Sequence, residues 1–259
     1  MKMYKKVMAA ALAGVMTVSM SATAFAADDD GYILKATNED SKSSDNDLVI
    51  AIEGSVSSMD PANIPDTNAI SATRGVYETL VSFDENQELT GKLAESWEVS
   101  DDSLTYTFKL RQGVKFQDGT DFNAAAVKAN YDRVVNKDNN LRQRRTFIVT
   151  NEDGSETPRV DSIETPDDYT LVIKLTQAWA PFINRLTQFC IISPAALEEY
   201  GNDIMNHPCG TGPYVCTEWE EGDHTSFKRN DDYWGDKPGV DTVTTVSYTH
   251  LTLPTICSV

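Results

Sequence analysis

Basic residues are scarce in this sequence. Its 22 Lys and Arg residues stand against 40 Asp and Glu residues, which gives a formal net charge of −18 at pH 7. Binding to nucleic acid needs clustered cations that replace the counterions of the phosphates, so this composition argues against a nucleic-acid partner. The hydrophobic content of 40% is sufficient for a packed core. We therefore expect a globular, acidic protein.

Cysteine and histidine are also few. Four cysteines in 259 residues are too few for a disulfide scaffold. Cys209 and Cys216 could meet across a turn, but we expect free, partly buried thiols. His207 lies close to Cys209, yet one such pair without further ligands at defined spacing is a weak metal signal. We predict no metal ligands and no cofactor.

The sequence signatures of hydrolytic enzymes are missing. There is no G-x-S-x-G segment and no H-E-x-x-H segment. The three histidines are too scattered to nominate a general base with an orienting partner. We therefore predict no catalytic residues, and a secreted hydrolase is the unfavoured alternative.

Long apolar runs are absent except near the N-terminus. Residues 7–26 follow three lysines and end in Ala24-Phe25-Ala26, the pattern of a secretory signal peptide cleaved after Ala26. The apolar part is short for a membrane-spanning helix. No cysteine lies near the cleavage site to accept a lipid. We predict that residues 1–26 are a signal peptide and that the mature protein is periplasmic or extracellular.

Local patterns predict both strands and helices. Leu48 to Ile52 is continuously apolar, as in a strand covered on both faces. Alternation from Leu93 to Phe116 predicts a half-buried hairpin with a core face, and 160–175 repeats this pattern. A helix is expected near 68–81. The residues on its apolar face are Ile70, Thr73, Tyr77 and Leu80.

Several residues are expected to end or start these elements. Asn123 can cap a helix, and Ser193-Pro194 can start a short helix that Gly201 ends. Gly210 and Gly212 are expected where the backbone passes tightly beside a neighbour. Trp97 and Trp234 are interpreted as packing residues rather than ligand-stacking residues.

Short motifs occur in a fixed order from about residue 48 to residue 243. With this order and spacing, the sequence resembles the family-5 extracellular solute-binding proteins, whose members include dipeptide, oligopeptide, glutathione and nickel carriers. The motifs that carry the resemblance are Met59-Asp60-Pro61, Val76-Tyr77-Glu78-Thr79-Leu80-Val81, Leu93-Ala94-Glu95-Ser96-Trp97, Tyr106-Thr107-Phe108-Lys109-Leu110-Arg111, Gly113-Val114-Lys115-Phe116, Asp118-Gly119, Phe122-Asn123-Ala124, Gly210-Thr211-Gly212-Pro213-Tyr214 and Arg229-Asn230-Asp231-Asp232-Tyr233-Trp234-Gly235.

The resemblance implies a type II (cluster C) periplasmic-binding-protein-like fold, of class α/β with an inserted α+β subdomain. The family has two lobes that close by hinge motion on the ligand. We expect this chain to hold the first lobe and the subdomain, without the second lobe. The expected segments are a signal peptide (1–26), a disordered acidic leader (27–46), the first lobe (47–78 and 185–245), the inserted subdomain (79–184) and a tail (246–259).

The resemblance also implies function and partners. It predicts a non-enzymatic, monomeric protein that captures di- or oligopeptides and delivers them to the permease subunits of an ABC importer. A nickel, haem or other small-solute carrier of the same family is the alternative. Nothing in the sequence separates transport from presentation of the ligand to a sensor.

Ligand-binding residues are expected just after Asp60-Pro61, where peptide-binding relatives contribute backbone to the cleft. The candidates are Pro65, Asp66, Thr67 and Asn68. Pro65 has no N–H, so pairing there rests on carbonyl groups and on Asp66 and Thr67. An ordinary helix cap by Asp66 or Thr67 is the equal alternative. Arg142, Arg144 and Arg145 form a basic run that could face an anionic ligand, although a solvated surface is favoured.

The end of the sequence is expected to be non-native. Residues 246–255 resemble the translation of a transposase sequencing adapter, and such scars lie outside fold reasoning. We therefore expect an N-terminal fragment in which residues 246–259 are a tail without function.

Overall fold

The protein is described by a computed structural model that covers residues 46–248. The predicted signal peptide, nearly all of the predicted leader and residues 249–259 lie outside the described residues. None of the helices in residues 46–248 has the length and apolar content that crossing a bilayer requires. The α-helices are α1 (Thr67–Thr73), α2 (Ala124–Val135), α3 (Arg144–Phe147), α4 (Phe182–Arg185) and α5 (Pro194–Tyr200). The 3₁₀ turns are Pro61–Asn63, Lys137–Asn139, Leu186–Gln188 and Gly201–Asn206.

Within residues 46–248, twelve strands form two four-stranded sheets and two short ribbons. The first sheet has the order β1-β12-β11-β10, and the second has the order β4-β5-β9-β8. The ribbons are β2-β3 and β6-β7. The strands are β1 (Asp47–Glu53), β2 (Val81–Phe83), β3 (Leu89–Gly91), β4 (Ala94–Val99), β5 (Thr105–Leu110), β6 (Ile148–Thr150), β7 (Glu156–Pro158), β8 (Val160–Asp167), β9 (Thr170–Leu175), β10 (Tyr214–Glu220), β11 (His224–Arg229) and β12 (Thr242–Tyr248).

Strand β1 lies at the edge of a mixed sheet and pairs in parallel with β12. The expectation of a strand buried on both faces is wrong. Its residues alternate between half-buried and exposed, and Val49 is 68% exposed. Ile52 packs against a core cluster, but no residue among 46–248 buries the face that carries Val49. A continuous apolar run cannot distinguish a covered face from an uncovered one.

Helix α1 is shorter than predicted, because it ends at Thr73. Beyond it the chain has tertiary partners. The N–H of Gly212 donates to the carbonyl of Val76 at 2.8 Å, and the N–H of Ile191 donates to the carbonyl of Glu78 at 2.9 Å. These bonds take the acceptors that a continuing helix would use. Tyr77 and Leu80 are buried as expected, but Ile70 is 41% exposed.

The second sheet confirms the predicted hairpin. Strands β4 and β5 are antiparallel, and β5 also pairs with β9. The core face of β5 carries Tyr106, Phe108 and Leu110, which are all buried. Strand β9 repeats the pattern with its own buried alternate residues. Helix α2 contributes to the same core cluster as this sheet.

The predicted caps are in place. Asn123 accepts a hydrogen bond from the N–H of Ala126 at 2.9 Å at the start of α2. Ser193 caps α5, and Gly201 ends this helix with φ of 55°. These local signals succeeded because a cap depends on neighbouring residues in the chain.

Gly210 and Gly212 allow a close backbone approach. A Cβ atom on Gly210 would lie 2.2 Å from the carbonyl oxygen of Val76, and one on Gly212 would lie 2.6 Å from that of Gly75. Any side chain would therefore push the two segments apart. The expectation of a tight passage is confirmed.

The buried residues form two core clusters. The larger contains the second sheet, α2 and the residues up to Ile191. The smaller contains Val56, Met59, Tyr77, Ile192 and Phe227 together with part of α1. Trp97 and Trp234 pack against the larger cluster, in agreement with the packing interpretation. The domain boundaries given above remain predictions.

Candidate functional site

The segment Ile64-Pro65 has an extended backbone with unused polar groups. Ile64 follows the turn Pro61–Asn63 with φ −80° and ψ 125°. Within residues 46–248, no backbone or side-chain group hydrogen-bonds the N–H of Ile64 or the carbonyls of Ile64 and Pro65. The side chain of Ile64 packs against the smaller core cluster. The segment is thus anchored by its side chain and has backbone groups free to pair with a ligand.

The side chains of Asp66 and Asn68 hold this segment in place. Asp66 accepts a hydrogen bond from the N–H of Ala69 at 2.8 Å, which makes it the cap of α1, and it also accepts one from Ser57. Asn68 donates through Nδ2 to the carbonyl of Glu53 at 2.6 Å, at the end of β1. The cap interpretation of Asp66 is confirmed. Asp66 and Asn68 position the segment.

Pro65 lines a cavity of about 330 Å³, whereas Asp66, Thr67 and Asn68 do not. Thr67 is exposed. This size is within the range of small-ligand sites. We call this space the polar cavity. Its lining residues are Ser57, Ser58, Asp60, Asn63, Pro65, Arg133, Asn139, Leu141, Arg142, Asn202 and Met205.

A buried ion pair forms one wall of the polar cavity. Both terminal nitrogens of Arg133 donate to the carboxylate of Asp60, at 3.2 and 2.7 Å. The two side chains are only 10% and 9% exposed. Asp60 also accepts the N–H of Ala62 at 3.0 Å. Such bidentate pairing fixes the geometry of the wall and neutralises both charges.

Sequence reasoning missed most of this wall. Arg133 belongs to α2, and Asn202 belongs to the turn after α5. These residues are far from Pro65 in the chain and carry no recognisable motif. The one signal in the sequence was Asp60 in the motif Met59-Asp60-Pro61, because an aspartate that becomes buried requires a partner for its charge.

The predicted basic run separates into three environments. Arg144 forms a bidentate pair with Glu156 at 2.8 and 2.7 Å. Arg145 is exposed and does not line the polar cavity. Arg142 is also exposed but lines it. The solvated-surface interpretation therefore agrees with the exposure of both Arg142 and Arg145, and of these two only Arg142 lines the polar cavity.

Glu78 connects its own motif with two others, those that contain Thr211 and Tyr233-Trp234. Its carboxylate is buried, accepts three hydrogen bonds and forms an ion pair with Lys92. Tyr233 and Lys92 approach Oε1 at 2.7 and 3.1 Å. Thr211 and the indole of Trp234 donate to Oε2 at 2.9 and 2.7 Å. This carboxylate therefore ties separate segments of the chain into one scaffold.

The three cysteines within residues 46–248 are free thiols, as expected. Cys190, Cys209 and Cys216 form no disulfide. Burial raises the pKa of Cys190 and of Cys209 to about 12, and that of Cys216 to about 11. These thiols are therefore protonated at neutral pH, whereas the thiolate is the nucleophilic and metal-binding form. His207 stacks on Tyr200 with ring centroids 3.9 Å apart, and nothing joins it to Cys209.

One group of described side chains has the composition of a cation site. Single ligand atoms of Glu220, Asp223 and His224 lie within 4.8 Å of one another at the turn between β10 and β11. His224 also contacts Glu218 through Nε2 at 3.2 Å. Asp223 contacts Nδ1 of His224, so the carboxylates of Asp223 and Glu218, which are exposed, already occupy both nitrogens of the ring. No sequence motif marks this group, because the pairing of β10 with β11 brings these residues together.

The sequence pattern described as "Bacterial extracellular solute-binding proteins, family 5 Middle" matches residues 88–252. The chain belongs to this family. Its members are solute-binding proteins rather than enzymes, and the predicted resemblance is confirmed.

The chain is similar to the glutathione-binding protein GsiB of Shigella dysenteriae. The two are 37% identical over 237 residues, which cover 91% of this chain and 40% of the relative. The chain thus spans about 40% of the length of the curated relatives that it matches.

Solved structures of periplasmic binding proteins share the fold. DppA of Helicobacter pylori in complex with the peptide STSA matches with a TM-score of 0.65 and 31% identity, over 78% of this chain and 42% of that one. NikZ of Campylobacter jejuni in complex with Ni(L-His) matches with a TM-score of 0.68 and 27% identity, over 78% of this chain and 39% of that one. The predicted type II periplasmic-binding-protein fold is confirmed.

Proposed function

We propose that this chain is part of an extracytoplasmic protein that captures di- or oligopeptides and delivers them to the permease subunits of an ABC importer. The protein acts as a monomer in the periplasm or outside the cell, and it leaves the peptide chemically unchanged. It needs no cofactor. Membership in a solute-binding family and the similarity to DppA, which was solved with a peptide, support this proposal.

The observation that carries the proposal is the unused backbone of Ile64 and Pro65 beside the polar cavity. An extended peptide can pair with such a segment through main-chain hydrogen bonds, while its side chains enter neighbouring pockets. Pro65 has no N–H, so the pairing uses the N–H of Ile64 and the carbonyls of both residues. The hydroxyl of Thr67 adds a further exposed group.

Asp66 and Asn68 have an indirect part in this proposal. Their side chains bond to α1 and to the end of β1, so they hold Pro65 in place. A segment that is rigid before binding loses little conformational entropy on pairing, which improves affinity.

The complete gene product should be titrated with di- and oligopeptides while its thermal unfolding is followed. At a free peptide concentration of 100 times Kd, binding adds about 2.7 kcal/mol of stability. Peptides with N-methylated backbone amides are the matched control, because they keep their side chains but lose main-chain donors. They should bind more weakly.

A second candidate is suggested by the ligands of the similar proteins, which include glutathione and a nickel–histidine complex. Glutathione and Ni(L-His) should therefore be titrated in parallel. Tight binding of the nickel complex without any peptide binding, or turnover of the peptide, would overturn the proposal. Delivery to an importer predicts that deletion of the gene abolishes uptake of the bound peptide.

A further inference from the structure

The polar cavity carries one positive charge in excess. Its only charged lining residues are Asp60, Arg133 and Arg142. Asp60 and Arg133 neutralise each other through two hydrogen bonds. Within residues 46–248, no carboxylate lies in salt-bridge range of Arg142, whereas Arg144 is paired with Glu156. The guanidinium of Arg142 is therefore an unpaired positive charge at this cavity, in a protein whose formal net charge is −18.

The backbone on both sides of Arg142 is fixed. Leu141 is buried, with only 8% of its surface exposed. On the other side, the N–H of Gln143 donates to the carbonyl of Ala62 at 3.0 Å. The side-chain amide of Gln143 donates to the carbonyl of Gln188 at 2.6 Å. These contacts hold the backbone at Arg142, while its side chain is exposed.

The bond from Gln143 also sets the place of Arg142 relative to the predicted ligand segment. Ala62 belongs to the turn Pro61–Asn63, which leads directly into Ile64 and Pro65. Arg142 and Pro65 thus line the same cavity from two segments that are joined by a hydrogen bond. A ligand in this cavity can therefore contact both Pro65 and Arg142.

We propose that Arg142 binds a carboxylate of the solute, so that the polar cavity selects ligands that carry this group. This inference rests on the proposed function, because it places a peptide in the same cavity. A guanidinium offers a planar fork of donors that matches the two oxygens of a carboxylate. Arg133 is less suited to this part, because Asp60 neutralises its charge through two hydrogen bonds.

The carboxylate can be the C-terminus of a peptide or an acidic side chain, and three probes distinguish these sources. Tetra-alanine has only the terminal carboxylate. Its C-terminal amide has none, and the amide of Ala-Ala-Glu-Ala has only the side-chain carboxylate. Each probe should be titrated calorimetrically into the complete gene product and into its Arg142→Gln and Arg145→Gln variants.

Arg145→Gln is the matched control, because Arg145 is an exposed arginine of the same run that does not line the cavity. We expect Arg142→Gln to raise Kd for the carboxylate-bearing probe about 10- to 100-fold, as for loss of hydrogen bonds to a charged group. Arg145→Gln should change Kd less than about 2-fold by comparison. The wild type should prefer one of the acids to tetra-alanine amide, and Arg142→Gln should lose this preference.

Two negative results have different meanings. If the wild type binds none of the probes and no other peptide, the proposed function fails and the inference fails with it. If the wild type binds a peptide acid but Arg142→Gln keeps both its affinity and its preference for the acid, only the inference is overturned. Equal thermal unfolding of the unliganded variants would show that the loss of affinity is not a folding defect.

Discussion

The buried carboxylate of Glu78 offers a sharp test of the scaffold. Glu78→Gln keeps the size of the side chain but replaces one acceptor oxygen with an NH₂ group, which can only donate. If the NH₂ group replaces Oε1, Tyr233 loses its acceptor and Lys92 loses its ion pair. If it replaces Oε2, Thr211 and Trp234 lose their acceptor. Burial, with the Glu78 carboxylate, raises the pKa of Tyr233 well above its usual value, so Tyr233 remains a donor.

The expected loss follows from these contacts. A hydrogen bond to a charged group contributes about 1.5–3 kcal/mol, so two lost bonds correspond to about 3–6 kcal/mol. Lys92 is 38% exposed, and solvent screens its share, which favours the lower part of this range. Even about 3 kcal/mol is a large fraction of the roughly 5–15 kcal/mol that stabilises a typical protein.

The assay is urea unfolding of the complete gene product, followed by tryptophan fluorescence. Glu95→Gln is the matched control, because Glu95 is exposed on β4 and has no described partner. We expect its free energy of unfolding to lie within about 0.5 kcal/mol of the wild type. Equal urea midpoints for Glu78→Gln and Glu95→Gln would refute the scaffold role of Glu78.

Two further predictions concern the backbone and pH. Gly212→Ala should destabilise the protein by about 1–3 kcal/mol in urea unfolding, because the added Cβ would lie 2.6 Å from backbone oxygens. Gly239→Ala is the control and should be neutral, because a Cβ at Gly239 meets nothing within 4 Å. Hydrogen bonds to Asp223 and then Glu218 raise the pKa of His224 above 6.5. The stability that His224 adds should be complete below pH 6.5 and disappear as pH rises through the folded pKa. A difference between wild type and His224→Gln that grows with pH would contradict this sign.

Much of the fold could be predicted from local sequence, because local interactions determine it. Asn123, Ser193 and Gly201 act on backbone groups within a few residues, so their roles as caps follow from chain order alone. The alternation in β5 specifies which side chains face a core. The order of motifs was sufficient for the family and its fold class.

The tertiary structure determined where helix α1 ends and which face of strand β1 is covered. Helix α1 ends at Thr73 because the carbonyls beyond it bond to Gly212 and Ile191, which come much later in the chain. Val49 is exposed because the burial of a strand depends on what covers each face, and an apolar run does not specify this.

The candidate site divides in the same way. The sequence alone pointed to the segment at Pro65, and it indicated that Asp66 could cap a helix. Only the tertiary structure brought Arg133 to Asp60, 73 residues away, and Arg142 to the rim of the same cavity. A buried aspartate needs a cationic partner, but the sequence does not show which arginine this is. Only the packing of distant segments determines which arginine pairs with Asp60 and which one remains available to a ligand.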